Sequence, residues 1–249
     1  MRTFFLEPGR WRIPFILDGP EARHIARVLR LKNGDSIRLL DGQGKTGEFA
    51  LTAVAEKGIK LEPVNIVEHP RRQRRNFLAA AYTRVARRSF MLEKAVELEA
   101  GGIWFWQAER SQAKVPDKPV ARWREQLIAG AKQSLNPWLP ELRTLPGGAE
   151  DLFSASSSFK NRFLLWEEAD PACMLLPEDL TGAGEQEDIL FVMGPEGGLS
   201  PAEAEFFVER GFRPVSLGRR ILRWETAAVL CLGLAWWTGE CSRAGQRPV

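Results

Sequence analysis

Residues 193–201 read Met193-Gly194-Pro195-Glu196-Gly197-Gly198-Leu199-Ser200-Pro201, and the fold class is decided there. Upstream, Ile189–Met193 is apolar throughout, as a strand covered on both faces must be. Downstream, Ser200 suits a helix N-cap and Pro201 the first helical position. The stretch therefore reads strand, glycine-rich turn, helix. In open α/β sheets, ligands bind outside the carboxyl ends of the strands. Glycines at such a place, Gly197 above all, let backbone amides approach a ligand. Taken alone, the pattern equally fits a plain strand-to-helix turn. A second junction of the same kind is Ser216-Leu217-Gly218-Arg219-Arg220-Ile221-Leu222-Arg223-Trp224-Glu225-Thr226-Ala227. Arg223 and Glu225 sit in its turn, with Thr226 placed to cap the helix that follows. Two such loops can form opposite walls of one pocket.

Outward from these loops the same alternation continues. Strands are expected at Phe77–Tyr82, Ile103–Trp106, Phe163–Trp166 and Pro214–Leu217. Helices are expected over Arg88–Ala100 and Val120–Gln133, after Ser200, and from Glu225 onward. Ser154–Ser158 and Gly182–Gly184 read as polar loops. Apolar strands separated by helices predict an α/β domain with a parallel sheet. The N-terminal part has a different texture. Arg2–Leu6 reads as an edge strand, and a short helix starts at Asp18-Gly19-Pro20 and runs through His24, Ile25, Val28 and Leu29. Strands follow at Ser36–Leu40, Thr46–Val54 and Ile59–Val67, separated by turns. This predicts a small β-barrel. Arg71-Arg72-Gln73-Arg74-Arg75 marks the boundary, giving domains at 1–70 and 71–249.

Composition narrows the function classes. Hydrophobic residues make up 44% and charged residues 27% of 249, which excludes a disordered chain. Three cysteines without a CxxC speak against a disulfide framework or zinc ribbon. His24 and His69 are the only histidines, so no metal site is expected. No G-x-G-x-x-G follows a strand, and Gly44-Lys45-Thr46 lacks the first glycine of a P-loop, Leu39 standing there. The opening Met1–Pro8 has no signal-peptide character. The apolar run Ala227–Trp237 falls short of the roughly 20 residues of a membrane span. A cytoplasmic protein with no membrane partner is expected. Of the 35 Lys/Arg, 15 fall in residues 1–75 against 9 Asp/Glu. Clustered arginine suits phosphate, since the guanidinium is a planar fork. The cluster fits nucleic acid or a solvated linker.

The two C-terminal loops together carry a resemblance. Gly194-Pro195-Glu196-Gly197-Gly198 followed by Leu217–Ala227 resembles the SPOUT superfamily of trefoil-knotted methyltransferases, and within it the RsmE family, which methylates N3 of a uridine in 16S ribosomal RNA. Support runs along the chain through Arg2-x-Phe4-Phe5, His24-x3-Val28-Leu29-Arg30-Leu31-Lys32-x-Gly34-Asp35, Lys94-Ala95-x-Glu97-Leu98, Glu109-Arg110-Ser111, Gln133-Ser134 and Pro140-Glu141-Leu142. Two departures stand out. Glu99 replaces the family's glycine after Glu-Leu, and Lys132-Gln133-Ser134-Leu135-Asn136 replaces its Glu-Gln-Ser-x-Arg.

The resemblance implies a PUA-like β-barrel for RNA and a trefoil-knotted SPOUT α/β domain that binds S-adenosylmethionine and forms a homodimer. It places the cofactor among Leu165, Trp166 and Glu167; Met193, Gly194, Pro195, Glu196, Gly197 and Gly198; and Ser216, Leu217, Gly218, Ile221, Leu222, Arg223 and Thr226. Arg223 would stabilise the uracil anion, with Glu196 or Glu225 taking the proton. RNA of the small (30S) ribosomal subunit would meet Arg2, Arg23, His24, Arg27, Arg30, Lys32, Arg110, Gln133 and Ser134. The other readings are a related methyltransferase acting on another RNA position or a ribose 2′-hydroxyl, and a non-catalytic RNA-binding assembly factor.

Overall fold

The computed structural model describes residues 1–83, 85–170, 172–181 and 187–245. The loop expected at Gly182–Gly184 lies outside the described residues. The chain divides into two compact units, one of Met1–Arg71 with Ile128–Leu139, the other of Arg72–Leu127 with Pro140–Val249.

The first unit is built on strands β1 (Arg2–Phe5), β2 (Phe15–Leu17), β3 (Ser36–Leu40), β4 (Lys45–Ala55) and β5 (Gly58–Glu68), in the order β1-β3-β4-β5-β2. β1 runs parallel to β3; the other pairs are antiparallel. Alternate residues point to one core of Phe4, Leu17, Ile25, Leu39, Phe49 and Ile59, the period-2 pattern of a half-buried sheet. Helix α1 (Gly19–Arg23) continues into a wider π turn over His24–Leu29, which ends where Arg30 turns left-handed at φ 53°. Asp18 precedes α1 but does not cap it. Its carboxylate takes the Arg10 guanidinium at 2.5 and 2.7 Å, which holds it below the ordinary aspartate range. The segment Ile128–Leu139 is stitched onto this unit by Gly44 N–H to Pro137 O (3.0 Å) and Leu139 N–H to Gly42 O (3.0 Å). Both departures in that segment have partners: Lys132 pairs with Glu21 at 2.8 Å, and Asn136 Oδ1 accepts from Trp138 N–H.

The second unit is a six-stranded parallel sheet. Its strands are β6 (Asn76–Ala81), β7 (Gly102–Trp106), β8 (Glu141–Leu145), β9 (Asn161–Leu165), β10 (Ile189–Met193) and β11 (Arg213–Val215). Their order is β11-β9-β10-β6-β7-β8. Every residue of β6, β7 and β10 is buried, so helices cover both faces. The helices are α2 (Val85–Glu97), the part of α3 (Ala121–Ser134) before Ile128, where it passes into the first unit, α4 (Ala149–Ala155), α5 (Pro177–Thr181), α6 (Pro201–Glu209) and α7 (Trp224–Gly245). No helix among the described residues is long and apolar enough to cross a membrane. Glu99, beyond the end of α2, is held left-handed at φ 52° with its carboxylate on Arg72. The backbone there has the shape that favours the glycine this chain lacks.

Sequence reading missed β2, β8, α4 and α5. β8 is a half-buried edge strand that mixes charged and apolar residues, so it lacks the apolar run of its neighbours. α4 overlaps the expected Ser154–Ser158 loop. It forms because Leu152 is buried and Asp151 accepts the Gly147 N–H at 2.6 Å.

In α7, Cys231 is fully buried, and burial pushes its thiol up to about 12, while Cys173 and Cys241 are exposed. At pH 8 only about one Cys231 in 10⁴ is thiolate, the form that reacts. Native protein treated with iodoacetamide should take up label at Cys173 and Cys241 within minutes, and at Cys231 only after denaturation. Mass spectrometry of the labelled peptides checks this.

Candidate active site

Because β9, β10 and β11 are parallel neighbours, the loops that leave them emerge on the same edge of the sheet. There they enclose a cavity of about 400 Å³, within the range of small-molecule sites. Leu165, Trp166 and Glu167 line it from the first loop, Met193–Gly198 from the second, and Val215–Leu222 with Trp224 and Ala227 from the third.

Each loop is fixed by bonds to its surroundings. The second is anchored at its start by the buried Trp106 indole, which donates to Met193 O at 3.1 Å. Its far end enters α6 through a capping box: Ser200 Oγ accepts from Glu203 N–H, and the Glu203 carboxylate accepts from Ser200 N–H. Arg110 Nη1 donates to Gly197 O and Leu199 O, both at 3.1 Å. The third loop is tied to the first by Ser216 N–H to Cys173 O (2.9 Å). Gly198 has φ +73°, a left-handed backbone that strains any other residue, and a Cβ there would also displace the tip of the Glu167 side chain. Gly197 is different: a Cβ would only touch Arg110 Cβ at 3.6 Å, an ordinary contact.

Of the sequence-predicted cofactor residues, the structure brings all but Arg223 and Thr226 to the cavity wall. Thr226 does not cap α7, because the helix already begins at Trp224. Arg223 is exposed, and its side chain has no hydrogen bond or ion pair among the described residues. It does not pair with Glu225. Glu225 instead faces Arg87 of α2, whose Nε lies 3.8 Å from Glu225 Oε2 and whose Nη1 lies 3.2 Å from Glu196 Oε1. The buried Thr83 hydroxyl also donates to Glu196 Oε1. Sequence reading missed Thr83, Arg87 and Trp224. Glu196 Oε2, Glu225 Oε2 and Trp224 Nε1 are buried without a hydrogen-bond partner. Such groups cost about 1–3 kcal/mol each when left unmet, and they mark places where a bound group can donate or accept.

In the first unit, Arg2, Arg23, His24, Arg30 and Lys32 are exposed, and the four cations among them have no ion pair among the described residues. Arg27 is exposed and pairs with Glu56 at 2.5 Å. Gln133 is exposed, and Ser134 Oγ donates to Gly130 O at 2.9 Å.

A family model described as an RNA methyltransferase domain matches residues 70–236, and one described as an RNA methyltransferase PUA domain matches residues 17–64. This chain belongs to that RNA methyltransferase family. The first unit of the methyltransferase is accordingly PUA-like and the second carries the enzyme fold. It is similar to the ribosomal RNA small subunit methyltransferase E of Bacillus subtilis, 25% identical over 99% of this chain and 100% of that one. The protein of that name from Mycobacterium bovis is 27% identical over 88% of this chain and 84% of its own. Among solved structures, ribosomal RNA small subunit methyltransferase E from Neisseria gonorrhoeae, bound to S-adenosyl methionine, superposes with a TM-score of 0.78. It is 28% identical, with 94% of this chain and 95% of that chain covered.

The two glycines of the second loop separate fit from mere proximity. Gly198→Ala should lower stability by about 1 kcal/mol, from left-handed backbone strain. Gly197→Ala should stay within about 0.5 kcal/mol of the parent. Urea unfolding of both variants measures the difference.

Proposed function

We propose that this methyltransferase transfers a methyl group from S-adenosylmethionine to N3 of a uridine in the RNA of the small ribosomal subunit. The observation that carries the reading is the single cavity walled by all three strand-end loops, with unmet polar atoms of Glu196, Glu225 and Trp224 beside it. The cavity suits the cofactor: glycine backbone at Gly194, Gly197 and Gly198 leaves room for close approach, Leu217, Ile221 and Leu222 offer apolar wall, and Glu167 offers a carboxylate to hydroxyls. When bound, S-adenosylmethionine supplies a methyl group on a positively charged sulfur.

Uracil N3 carries a proton and is a weak nucleophile until that proton leaves. Glu196 is the acceptor we assign, because it lines the cavity and one of its oxygens is unfilled. Arg223 lies between the lining residues Leu222 and Trp224 with its charge free, so we assign it to the developing imide anion. The base must be unpaired or flipped out to expose N3. Arg2, Arg23, His24, Arg27, Arg30 and Lys32 would track the RNA backbone, with Arg110, Gln133 and Ser134 as further contacts and the domain boundary at 70/71. The same reading includes a knotted C-terminal domain, a cytoplasmic location among ribosomes, and a homodimer through α7, where Leu230 and Trp237 are exposed.

The direct test is incubation with labelled cofactor and undermethylated small subunits, followed by nucleoside analysis. Label in 3-methyluridine is the expected result; label on a ribose or another base would refute the N3 assignment. Glu196→Gln and Arg223→Ala should each lower the single-turnover rate, Arg223→Ala by about 10²–10³-fold. Melting of Arg223→Ala should stay at the parental temperature, since no partner is lost. On the RNA side, replacing Arg23, Arg27 and Arg30 together by Ala should flatten the salt dependence of RNA binding. Up to three phosphate contacts would be lost, each worth about 0.7–0.9 in the slope of log affinity against log salt. An unchanged slope in filter-binding titrations would remove this face from the RNA site.

A further inference from the structure

Four segments meet around Arg87 and Glu196: the loop after β10, the residues after β6 through Thr83, the first turn of α2 through Arg87, and, on the far side of Arg87, the start of α7 through Glu225. Arg87 is the only cation among the described residues that pairs with either carboxylate. The next residue, Arg88, is buried and does not compete for them. Its guanidinium lies 3.9 Å from the Tyr82 ring centre and 5.7 Å from that of Trp123. Two carboxylates thus share one fork. Glu196 Oε1 is filled twice, by Thr83 and Arg87, while Oε2 of both glutamates is left buried without a hydrogen bond. An ion pair that served only stability would satisfy its buried oxygens. This one occupies one Glu196 oxygen and leaves the other for a donor that no described residue supplies.

We infer that Arg87 is the positioning residue of the site: it clamps Glu196 and Glu225 from α2 so that the free oxygen of Glu196 is presented to the N–H of a planar imide in the RNA substrate. The inference rests on the methyl-transfer reading above. The proton leaves the imide nitrogen for the Glu196 carboxylate as the nitrogen–methyl bond forms and the methyl–sulfur bond breaks, its electron pair remaining on sulfur. Arg87 is not among the residues that line the cavity, so it acts through the carboxylates it holds. Its two contacts need a forked donor, since an ammonium on a flexible stem bonds one carboxylate at a time.

The test uses the full-length chain, with Arg87→Met and Arg87→Lys, measuring single-turnover methylation of undermethylated small subunits and calorimetric affinity for S-adenosylmethionine. Arg87→Met should transfer methyl about 10²-fold more slowly, the usual loss when a reacting group is misplaced by an ångström, with cofactor affinity unchanged within twofold. Arg87→Lys should recover part of the rate and should fold even if the Met variant does not. Adding Glu225→Gln to Arg87→Met should cost little more, because the two act through one clamp. A parental rate in either folded variant, Arg87→Met or Arg87→Lys, overturns the inference alone. So does a loss of cofactor affinity in step with the rate, which would make Arg87 a support of the cavity wall. A parental chain that transfers no methyl group overturns the activity reading, and this inference with it.

Discussion

Strand β10 is hydrogen-bonded in parallel to β9 on one side and β6 on the other, and the site depends on that placement. A fully buried strand with both edges paired can release its chain only at its ends. The chain leaves β10 as the 194–200 loop, runs back along the sheet as α6 and re-enters as β11 beyond β9, so the loops after β9, β10 and β11 all leave the same edge. Three loops are thereby forced into one small space. Four glycines stand in the lining, Gly194, Gly197, Gly198 and Gly218, where backbone is open to a ligand.

The same topology concentrates charge. Thr83 leaves β6, the immediate partner of β10, and α2 follows directly, so the α2 side chain Arg87 stands over the Glu196 loop. α7 begins where the third loop ends and brings Glu225 to the same place. Three ionised groups within 4 Å of one another along two pairs are tolerable because each pair is opposite in sign and partly open to water, at 15–40% side-chain exposure.

The PUA-like unit shows a different economy. Its sheet buries one face on an aromatic core around Phe49, with Phe15 at 5.0 Å and Trp11 at 5.8 Å between ring centres. Its cations stay on the surface. Long-range attraction of a polyanion needs no fixed partner geometry, only unpaired charge at the surface.

The sequence by itself determined what local chemistry determines. Apolar runs such as Ile189–Met193 read as buried parallel strands. Ser200-Pro201 announced the start of α6, and the two glycine-rich junctions announced a ligand cleft. These signals depend on residues a few positions apart, so they survive in a linear reading. Only the tertiary structure decided which of two adjacent glycines takes the left-handed backbone, φ +73° at Gly198, with the tip of Glu167 from another loop against it. Only it showed that Arg110 donates to the carbonyls of Gly197 and Leu199, that Arg223 has no ion pair among the described residues, and that Ile128–Leu139 belongs with the PUA-like unit. Thr83 and Glu196 are 113 residues apart. Their contact, and the Arg87 clamp beside it, follow from strand order. Strand order is set by how buried faces pack against one another, and no short stretch of sequence states it.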